Sequence, residues 1–154
     1  MYVALTRNID DIFMLYKGKE AIEKVVDALS SNIPHYSWIG IYLVEGNDLV
    51  LGPWRGAQAT EHTRIPMGKG ICGSAAQSGK TEVIQDVQED QRYLACFRST
   101  KSEIVVPIKT AGGIIGEIDI DSDTSQAFTE EDRRFLEQLA THPLFIKAVE
   151  SLRG

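Results

Sequence analysis

Residues 103–121 have the sequence EIVVPIKTAGGIIGEIDID, and this stretch decides the fold class. Two runs rich in β-branched residues, 103–110 and 113–121, flank a short glycine-containing turn. This pattern predicts two antiparallel strands joined as a tight hairpin. In the second strand Asp119 and Asp121 alternate with isoleucines, so we expect the acids on one face of the sheet and the isoleucines on the other.

The rest of the chain predicts helices at both ends and further strands between them. An amphipathic helical pattern covers residues 8–33, breaks near Gly18 and stops at Pro34, and a last helix begins after Thr129, which suits an N-cap. Proline at position 143 is expected to interrupt this last helix before it resumes. The segments between these helices predict strands over 37–44, 48–54 and 81–85, a short helix over 70–77, and loops over 55–69 and 86–100. This order predicts an α+β fold in which helices from both ends cover one face of a mostly antiparallel sheet.

Length and charge narrow the classes of function. The chain has 154 residues, which fits one domain over 1–154, and its 43% hydrophobic and 25% charged content is ordinary for a globular protein. A net charge of −6 without a cluster of Lys and Arg argues against nucleic-acid binding. No apolar run approaches the roughly 18 residues of a membrane span. Polar residues interrupt the N-terminal segment early, so we expect no signal peptide and a cytoplasmic protein.

The chain has two cysteines, Cys72 and Cys96. In a reducing compartment such residues are either inert core residues or redox-active ones. No metal ion or cofactor is expected, because the sequence contains no CxxC, HExxH or HxH motif and only three histidines.

Each cysteine has two interpretations. Cys72 lies at the head of the predicted short helix, where the helix dipole would favour a thiolate. The alternative, which the sequence supports equally, is that Cys72 only packs among the small residues of that helix. Cys96 lies in a loop before a strand that begins with an acid, which suits a nucleophile, whereas a lone intracellular cysteine is more often a buried structural residue.

The acids Glu103, Asp119 and Asp121 also have two interpretations. One of them, kept protonated by burial and by its acidic neighbours, could donate a proton, and the others could hold an ammonium group. The alternative is a solvated sheet face. Because aspartate is unfavourable in strands, two alternating aspartates favour the functional interpretation. Trp38 and Trp54 are large aromatic residues of the predicted strands, and such residues are more often part of the core than of a site.

The combined segments resemble one enzymatic branch of the GAF domains, the free methionine-(R)-sulfoxide reductases. The similar segments are residues 38–42, 49–53, 64–73, 95–96, 102–107 and 118–122. The resemblance covers roughly residues 36–140, and it implies a GAF fold, which is a PAS-like fold.

The resemblance implies roles for particular residues. Cys96 matches the cysteine that attacks the sulfoxide, and Cys72 matches a second cysteine, the provisional resolving thiol. The third cysteine of the family corresponds to His62, which we expect in solvent. The resemblance assigns the substrate-binding positions to Glu103, Asp119, Asp121 and Trp38. Glu117 has no match in the family and is left out of the predicted site.

The resemblance implies reduction of free methionine-(R)-sulfoxide to methionine through a cysteine sulfenic acid. Thioredoxin or a small thiol would be the reductant, and the family suggests a homodimer. One alternative is a GAF module that binds a small ligand and performs no chemistry. A second alternative is a reductase of a different oxidised thioether.

Overall fold

The computed structural model describes residues 2–94, 97 and 99–153, so Cys96 lies outside the described residues. The helices within them are α1 (Tyr2–Leu15), α2 (Gly18–Asn32), α3 (Gly70–Ser78), α4 (Glu130–Ala140), α5 (Pro143–Leu152) and a 3₁₀ turn at Val87–Glu89. The strands are β1 (Trp38–Glu45), β2 (Asp48–Gly56), β3 (Arg64–Pro66), β4 (Glu82–Ile84), β5 (Ser102–Thr110) and β6 (Gly113–Ser122). None of the described helices is long and apolar enough to span a bilayer.

The strands form one sheet in the order β3-β2-β1-β6-β5-β4, and every neighbouring pair is antiparallel. The predicted hairpin is confirmed: β5 and β6 pair along their length and close at Thr110 and Gly113. The predicted loop over 55–69 is wrong at Arg64–Pro66, which pairs with the start of β2. Three residues are too short to show a strand period, so only the pairing with β2 reveals this strand.

The two faces of the sheet differ as the alternation predicts. Ile118 and Ile120 of β6 belong to a buried apolar core that also contains residues of α1, α2, α4 and α5. Burying apolar side chains in this way is the main favourable contribution to folding, at about 25 cal/mol per Å². Helices from both ends of the chain therefore cover one face, which confirms the predicted α+β architecture.

Helix α3 covers part of the opposite face. Cys72, Ala75 and Ala76 of α3 are buried in a second core together with residues of β1, β2 and β5. A Cβ at Gly73 would lie 2.7 Å from the carbonyl oxygen of Pro66, so a larger residue would push α3 off the preceding chain. The small residues of α3 thus let its backbone approach its neighbours closely, as expected.

A buried carboxylate joins three parts of the helical layer. Oδ1 of Asp132 accepts hydrogen bonds from the hydroxyls of Tyr2 and Tyr36 and lies 2.9 Å from Nε2 of His35. Its Oδ2 accepts from the backbone N–H of Thr129, and Thr129 in return caps α4. This capping box confirms Thr129 as the N-cap. The chain entering β1 is thereby tied to α1 and α4.

Candidate active site

Four carboxyl groups lie on the sheet face opposite the helical layer. Glu117, Asp119 and Asp121 alternate along β6, and Glu103 of β5 pairs directly with Asp121. All four side chains are buried, with at most 5% of any of them exposed. Charged residues are almost never fully buried unless they are paired, so this concentration of acids indicates a site.

The thiol of Cys72 completes the cluster from the α3 side. Cys72 is itself buried, and its Sγ and a carboxylate oxygen from each of Glu103 and Asp119 all lie within 4.8 Å of one another. The three groups come from α3, β5 and β6, so tertiary packing alone brings them together. We call Cys72, Glu103, Glu117, Asp119 and Asp121 the acid–thiol cluster.

Burial raises the pKa of each of the four carboxyls in the cluster. The charge of Asp119 raises the pKa values of Glu103, Glu117 and Asp121 further, because like charges disfavour one another. Hydrogen bonds with Glu103 and Cys72 partly offset the rise in the pKa of Asp119. The cluster therefore retains protons more strongly than exposed carboxyls do, and Asp119 is the member best placed to ionise.

The pKa of the Cys72 thiol is raised well above its usual value, first by burial and then by the charges of Asp119 and the other three acids. The expectation that the helix dipole favours a thiolate at this position is therefore wrong. A helix dipole contributes at most about 2 kcal/mol in favourable geometry, and here burial among acids outweighs it. Burial among the acids therefore favours the protonated thiol of Cys72 over the thiolate.

Several buried polar atoms of the site have no hydrogen-bond partner among the described residues. They are both carboxyl oxygens of Glu117, one oxygen each of Asp119 and Asp121, and Nε1 of Trp38. Leaving a buried polar group unpaired costs about 1–3 kcal/mol. Such unpaired atoms converging on one place favour a site that receives a polar ligand, which would supply the missing hydrogen bonds.

Trp38 forms an aromatic wall beside the acids. It lies opposite Asp121 in the β1–β6 pairing, and its indole ring centroid lies 6.3 Å from that of Trp54 and 5.8 Å from the ring centroid of Phe97. Trp38 is buried in the second core, so it is a core residue and a neighbour of the cluster at once.

A small pocket reaches the cluster at its Asp121 end. Its volume is about 40 Å³, and Trp38, Phe97, Thr100 and Asp121 are among the residues that line it. Thr100 Oγ1 donates a hydrogen bond of 3.4 Å to Asp121 Oδ2. Asp121 is the member of the acid–thiol cluster that lines this pocket.

The structure brings Glu103, Asp119, Asp121 and Cys72 together and places Trp38 beside Asp121. A solvated acidic face, the alternative for these acids, is wrong, because α3 and the second core bury them. Cys96 lies outside the described residues, so its predicted position is not described.

Sequence reasoning left out Glu117, which is fully buried and aligned with Asp119 and Asp121 on β6. The signal was present in the sequence, because every second residue of a strand lies on the same face, and Glu117 therefore shares a face with Asp119 and Asp121.

His62 is half-buried rather than exposed as expected, and its carbonyl oxygen accepts a 2.7 Å hydrogen bond from the Tyr42 hydroxyl.

The family profile described as a GAF domain matches residues 19–142 of this chain. The free methionine-R-sulfoxide reductase of Escherichia coli is 40% identical over 111 residues, which are 72% of this chain and 66% of that enzyme.

Solved structures show the same fold. The type II free methionine-R-sulfoxide reductase of Thermoplasma acidophilum is 37% identical, with a TM-score of 0.83 over 88% of this chain and 94% of that one. A protein assigned as a GAF sensor from Burkholderia vietnamiensis is 31% identical, with a TM-score of 0.88 over 99% of this chain and 96% of that one.

Proposed function

The chain belongs to the GAF-domain family, in the branch that includes the free methionine-R-sulfoxide reductases, and we propose that it reduces free methionine-(R)-sulfoxide to methionine. The observation that carries this proposal is the acid–thiol cluster, in which a thiol and four buried carboxyls face one another under α3. Sulfoxide reduction needs both kinds of group: a sulfur nucleophile and a proton donor for the sulfoxide oxygen.

The first step is oxygen transfer to Cys96, the nucleophile that the resemblance assigns. Its thiolate attacks the sulfoxide while a protonated carboxyl donates to the oxygen. The sulfur–oxygen bond of the substrate breaks, methionine leaves, and the cysteine becomes a sulfenic acid. The substrate sulfur is reduced by two electrons and the cysteine sulfur is oxidised by two.

The buried acids suit the role of proton donor. Burial raises the pKa of Glu103, Glu117 and Asp121, so these carboxyls hold a proton at the pH where a solvent-exposed acid is ionised. Asp119, whose pKa rises less because of hydrogen bonds to Glu103 and Cys72, suits a carboxylate that holds the substrate's ammonium. Trp38 would pack against the S-methyl end.

The second step returns the cysteine to its reduced form. The thiol of Cys72 attacks the sulfenic acid, a disulfide forms and water leaves, with the proton of Cys72 relayed through a neighbouring carboxylate to the leaving oxygen. Thioredoxin or a small thiol then supplies two electrons and reduces the disulfide. The relay is needed because the pKa of Cys72 is raised, and the carboxylate regains its charge when it hands the proton to the departing oxygen. We expect this cycle to run in the cytosol, where thiols are kept reduced.

Specificity for the free amino acid would follow from the enclosed acids. A free methionine sulfoxide carries an α-ammonium that can pair with a buried carboxylate, whereas a residue within a peptide has an uncharged amide there. Binding a peptide would leave Asp119 and its neighbours buried without a cation, which is strongly unfavourable. The proposal therefore predicts little activity toward peptide-bound sulfoxide.

The test is reduction of free methionine-(R)-sulfoxide by the wild type and by Cys96→Ser and Cys72→Ser variants, each with dithiothreitol and with thioredoxin. We expect Cys96→Ser to be inactive with both reductants, and Cys72→Ser to be active with dithiothreitol and inactive with thioredoxin. Activity of Cys72→Ser with thioredoxin would mean that an external thiol resolves the sulfenic acid. A wild type that is inactive with both reductants would overturn the proposal.

A GAF module that binds a ligand without chemistry is the second candidate, favoured by the similarity to a protein assigned as a GAF sensor. The reductase forms a covalent intermediate, the sulfenic acid on Cys96, and the ligand-binding module does not. Under this alternative, methionine sulfoxide would bind without oxidising Cys96, and a sulfenic-acid trapping reagent would leave the protein unmodified. A panel of other oxidised thioethers tests the remaining alternative, a reductase of a different substrate.

A further inference from the structure

We propose that the acid–thiol cluster binds one divalent transition-metal ion of the Zn²⁺ type through Cys72 Sγ and carboxylate oxygens of Glu103 and Asp119. These three atoms lie within 4.8 Å of one another. In a tetrahedral zinc site, ligand atoms are about 3.5 Å apart, since Zn–S and Zn–O bonds are roughly 2.3 and 2.1 Å. Closing this difference would need the ligand atoms to shift by about 1 Å.

A second observation points to a cation at this place. Glu117 is fully buried on the same strand face, and neither of its carboxyl oxygens has a hydrogen-bond partner among the described residues. One oxygen of Asp119 is also unpaired. Buried acids without partners are costly, and a cation that all of them face would offset that cost. Glu117 would either complete the coordination or hold a metal-bound water.

The donor set selects the class of metal. A thiolate with carboxylates suits zinc or cobalt, whereas magnesium and calcium prefer oxygen ligands alone. Coordination removes the proton from Cys72 Sγ, because only the thiolate binds a metal. No local motif predicts the site, since its ligands come from α3, β5 and β6. The sequence expectation of no metal site depended on such motifs.

The ion would enter by the pocket that Trp38, Phe97, Thr100 and Asp121 line. At the cluster it would occupy the place that the proposed reaction needs for the substrate ammonium, so the two should exclude each other. The metal site does not depend on the proposed reaction, because its three ligands already lie together in the protein without substrate.

The experiment uses the full chain with Cys96→Ser, which leaves Cys72 as the only thiol and removes the proposed nucleophile. Titration with Co²⁺ should give a near-ultraviolet absorption band from a cobalt–thiolate bond. Calorimetry with Zn²⁺ should give one ion bound per chain. Both measurements are independent of enzymatic activity, so a failed metal site and a failed reductase are distinguishable.

Variants in the Cys96→Ser background locate the ligands. Cys72→Ala should abolish the cobalt band, and Glu103→Gln and Asp119→Asn should each weaken Zn²⁺ binding by at least about ten-fold. Glu89→Gln, at an exposed acid, is the matched control and should leave the affinity unchanged. Each variant is first shown to be folded by thermal unfolding.

Two results would overturn the proposal. One is the absence of a cobalt–thiolate band, together with no saturable Zn²⁺ binding below about 100 µM. The other is Zn²⁺ binding that Cys72→Ala, Glu103→Gln and Asp119→Asn all leave unchanged, which would place the ion elsewhere on the protein.

Discussion

Glu117 is fully buried, and both of its carboxyl oxygens are without a hydrogen-bond partner among the described residues. Burial and then the charge of Asp119 raise the pKa of Glu117 well above its usual value. A carboxyl whose pKa is raised on folding stabilises the protein fully below its unfolded pKa, about 4.3, and this contribution is lost as pH rises through the folded pKa. Glu117 therefore lowers the free energy of unfolding at neutral and alkaline pH relative to acidic pH.

We expect Glu117→Gln to raise the free energy of unfolding at pH 8 by roughly 1–2 kcal/mol and to change it little at pH 4.5, because glutamine stays neutral at both. Urea unfolding at the two pH values measures the difference. Glu89→Gln, at an exposed position, should stay within about 0.5 kcal/mol of the wild type at both. An equal effect of Glu117→Gln at both pH values would contradict the account.

Among the elements, strands β1 and β2 leave room for the indole of Trp38 by placing glycines beside it. A Cβ at Gly56 would lie 2.3 Å from Trp38 Cδ1, and a Cβ at Gly40 would lie 2.2 Å from Trp38 Cη2. Cβ atoms do not approach other carbon atoms this closely, so any larger residue must displace the ring. The backbone of two strands thus determines the position of the aromatic wall beside Asp121.

We expect Gly56→Ala to lower kcat/KM for methionine sulfoxide by about ten-fold, because a misplaced positioning group of this kind commonly costs that much or more. Steady-state kinetics with dithiothreitol measures the effect, and Trp fluorescence reports the displaced ring. Gly112→Ala is the control, since the nearest atom to its Cβ would lie 3.6 Å away. Unchanged kinetics and fluorescence in Gly56→Ala would mean that the ring position is not set by this glycine.

Asp132 connects elements rather than serving the site. Burial opposes ionisation of this carboxyl, but hydrogen bonds from Tyr2, Thr129, His35 and Tyr36 outweigh it and lower its pKa. A carboxyl with a lowered pKa stabilises the fold above its unfolded pKa, about 3.9, and this contribution is lost as pH falls through the folded pKa. The joint between α1, α4 and the chain before β1 therefore weakens only in acid.

We expect Asp132→Ala to lower the free energy of unfolding by roughly 2–4 kcal/mol at pH 7, because it removes the α4 cap and leaves buried hydroxyls unpaired. The difference from the wild type should shrink below pH 4, where the wild-type carboxylate becomes protonated. Asp132→Asn, which keeps an acceptor oxygen, should have an intermediate effect. If Asp132→Ala lowers the free energy of unfolding by the same amount from pH 7 to pH 3, the stabilisation does not come from the negative charge of the Asp132 carboxylate.

At the scale of the whole molecule, large apolar side chains are exposed at one end of the helical layer. Met14 and Leu15 at the end of α1 are 82% and 76% exposed, and Leu144 of α5 is 44% exposed. Leu144, Phe13 and Tyr16 line a pocket of about 400 Å³ at this end. Apolar patches of this kind mark interaction surfaces. We therefore propose this end of the helical layer as the interface of the homodimer that the family resemblance suggests.

We expect the wild type to sediment as a dimer and the double variant Met14→Asp, Leu15→Asp to sediment as a monomer, because two charges would be buried in the interface. Analytical ultracentrifugation over a concentration series measures this. Val3→Asp is the matched control: it is 72% exposed on the same helix, about 16 Å from Met14 along the axis. A dimer that persists in the double variant would place the interface elsewhere.

The sequence by itself determined the hairpin, the alternation of acids and isoleucines, the break at Gly18 and the cap at Thr129. Each of these follows from residues within a few positions of one another, so local periodicity and turn chemistry suffice. The resemblance added roles for residues that the sequence had already singled out, namely Cys72, Cys96, Glu103, Asp119, Asp121 and Trp38.

Only the tertiary structure decided that the acidic face is buried, that Glu117 belongs to it, and that the pKa of the Cys72 thiol is raised rather than lowered. The alternation in β6 indicates which side chains share a face, but it does not indicate what covers that face. Packing of α3 across the sheet excludes water from the acids, and this loss of solvation raises the pKa values of the carboxyls and of the thiol. Burial depends on contacts between residues far apart in the chain, which no local pattern encodes.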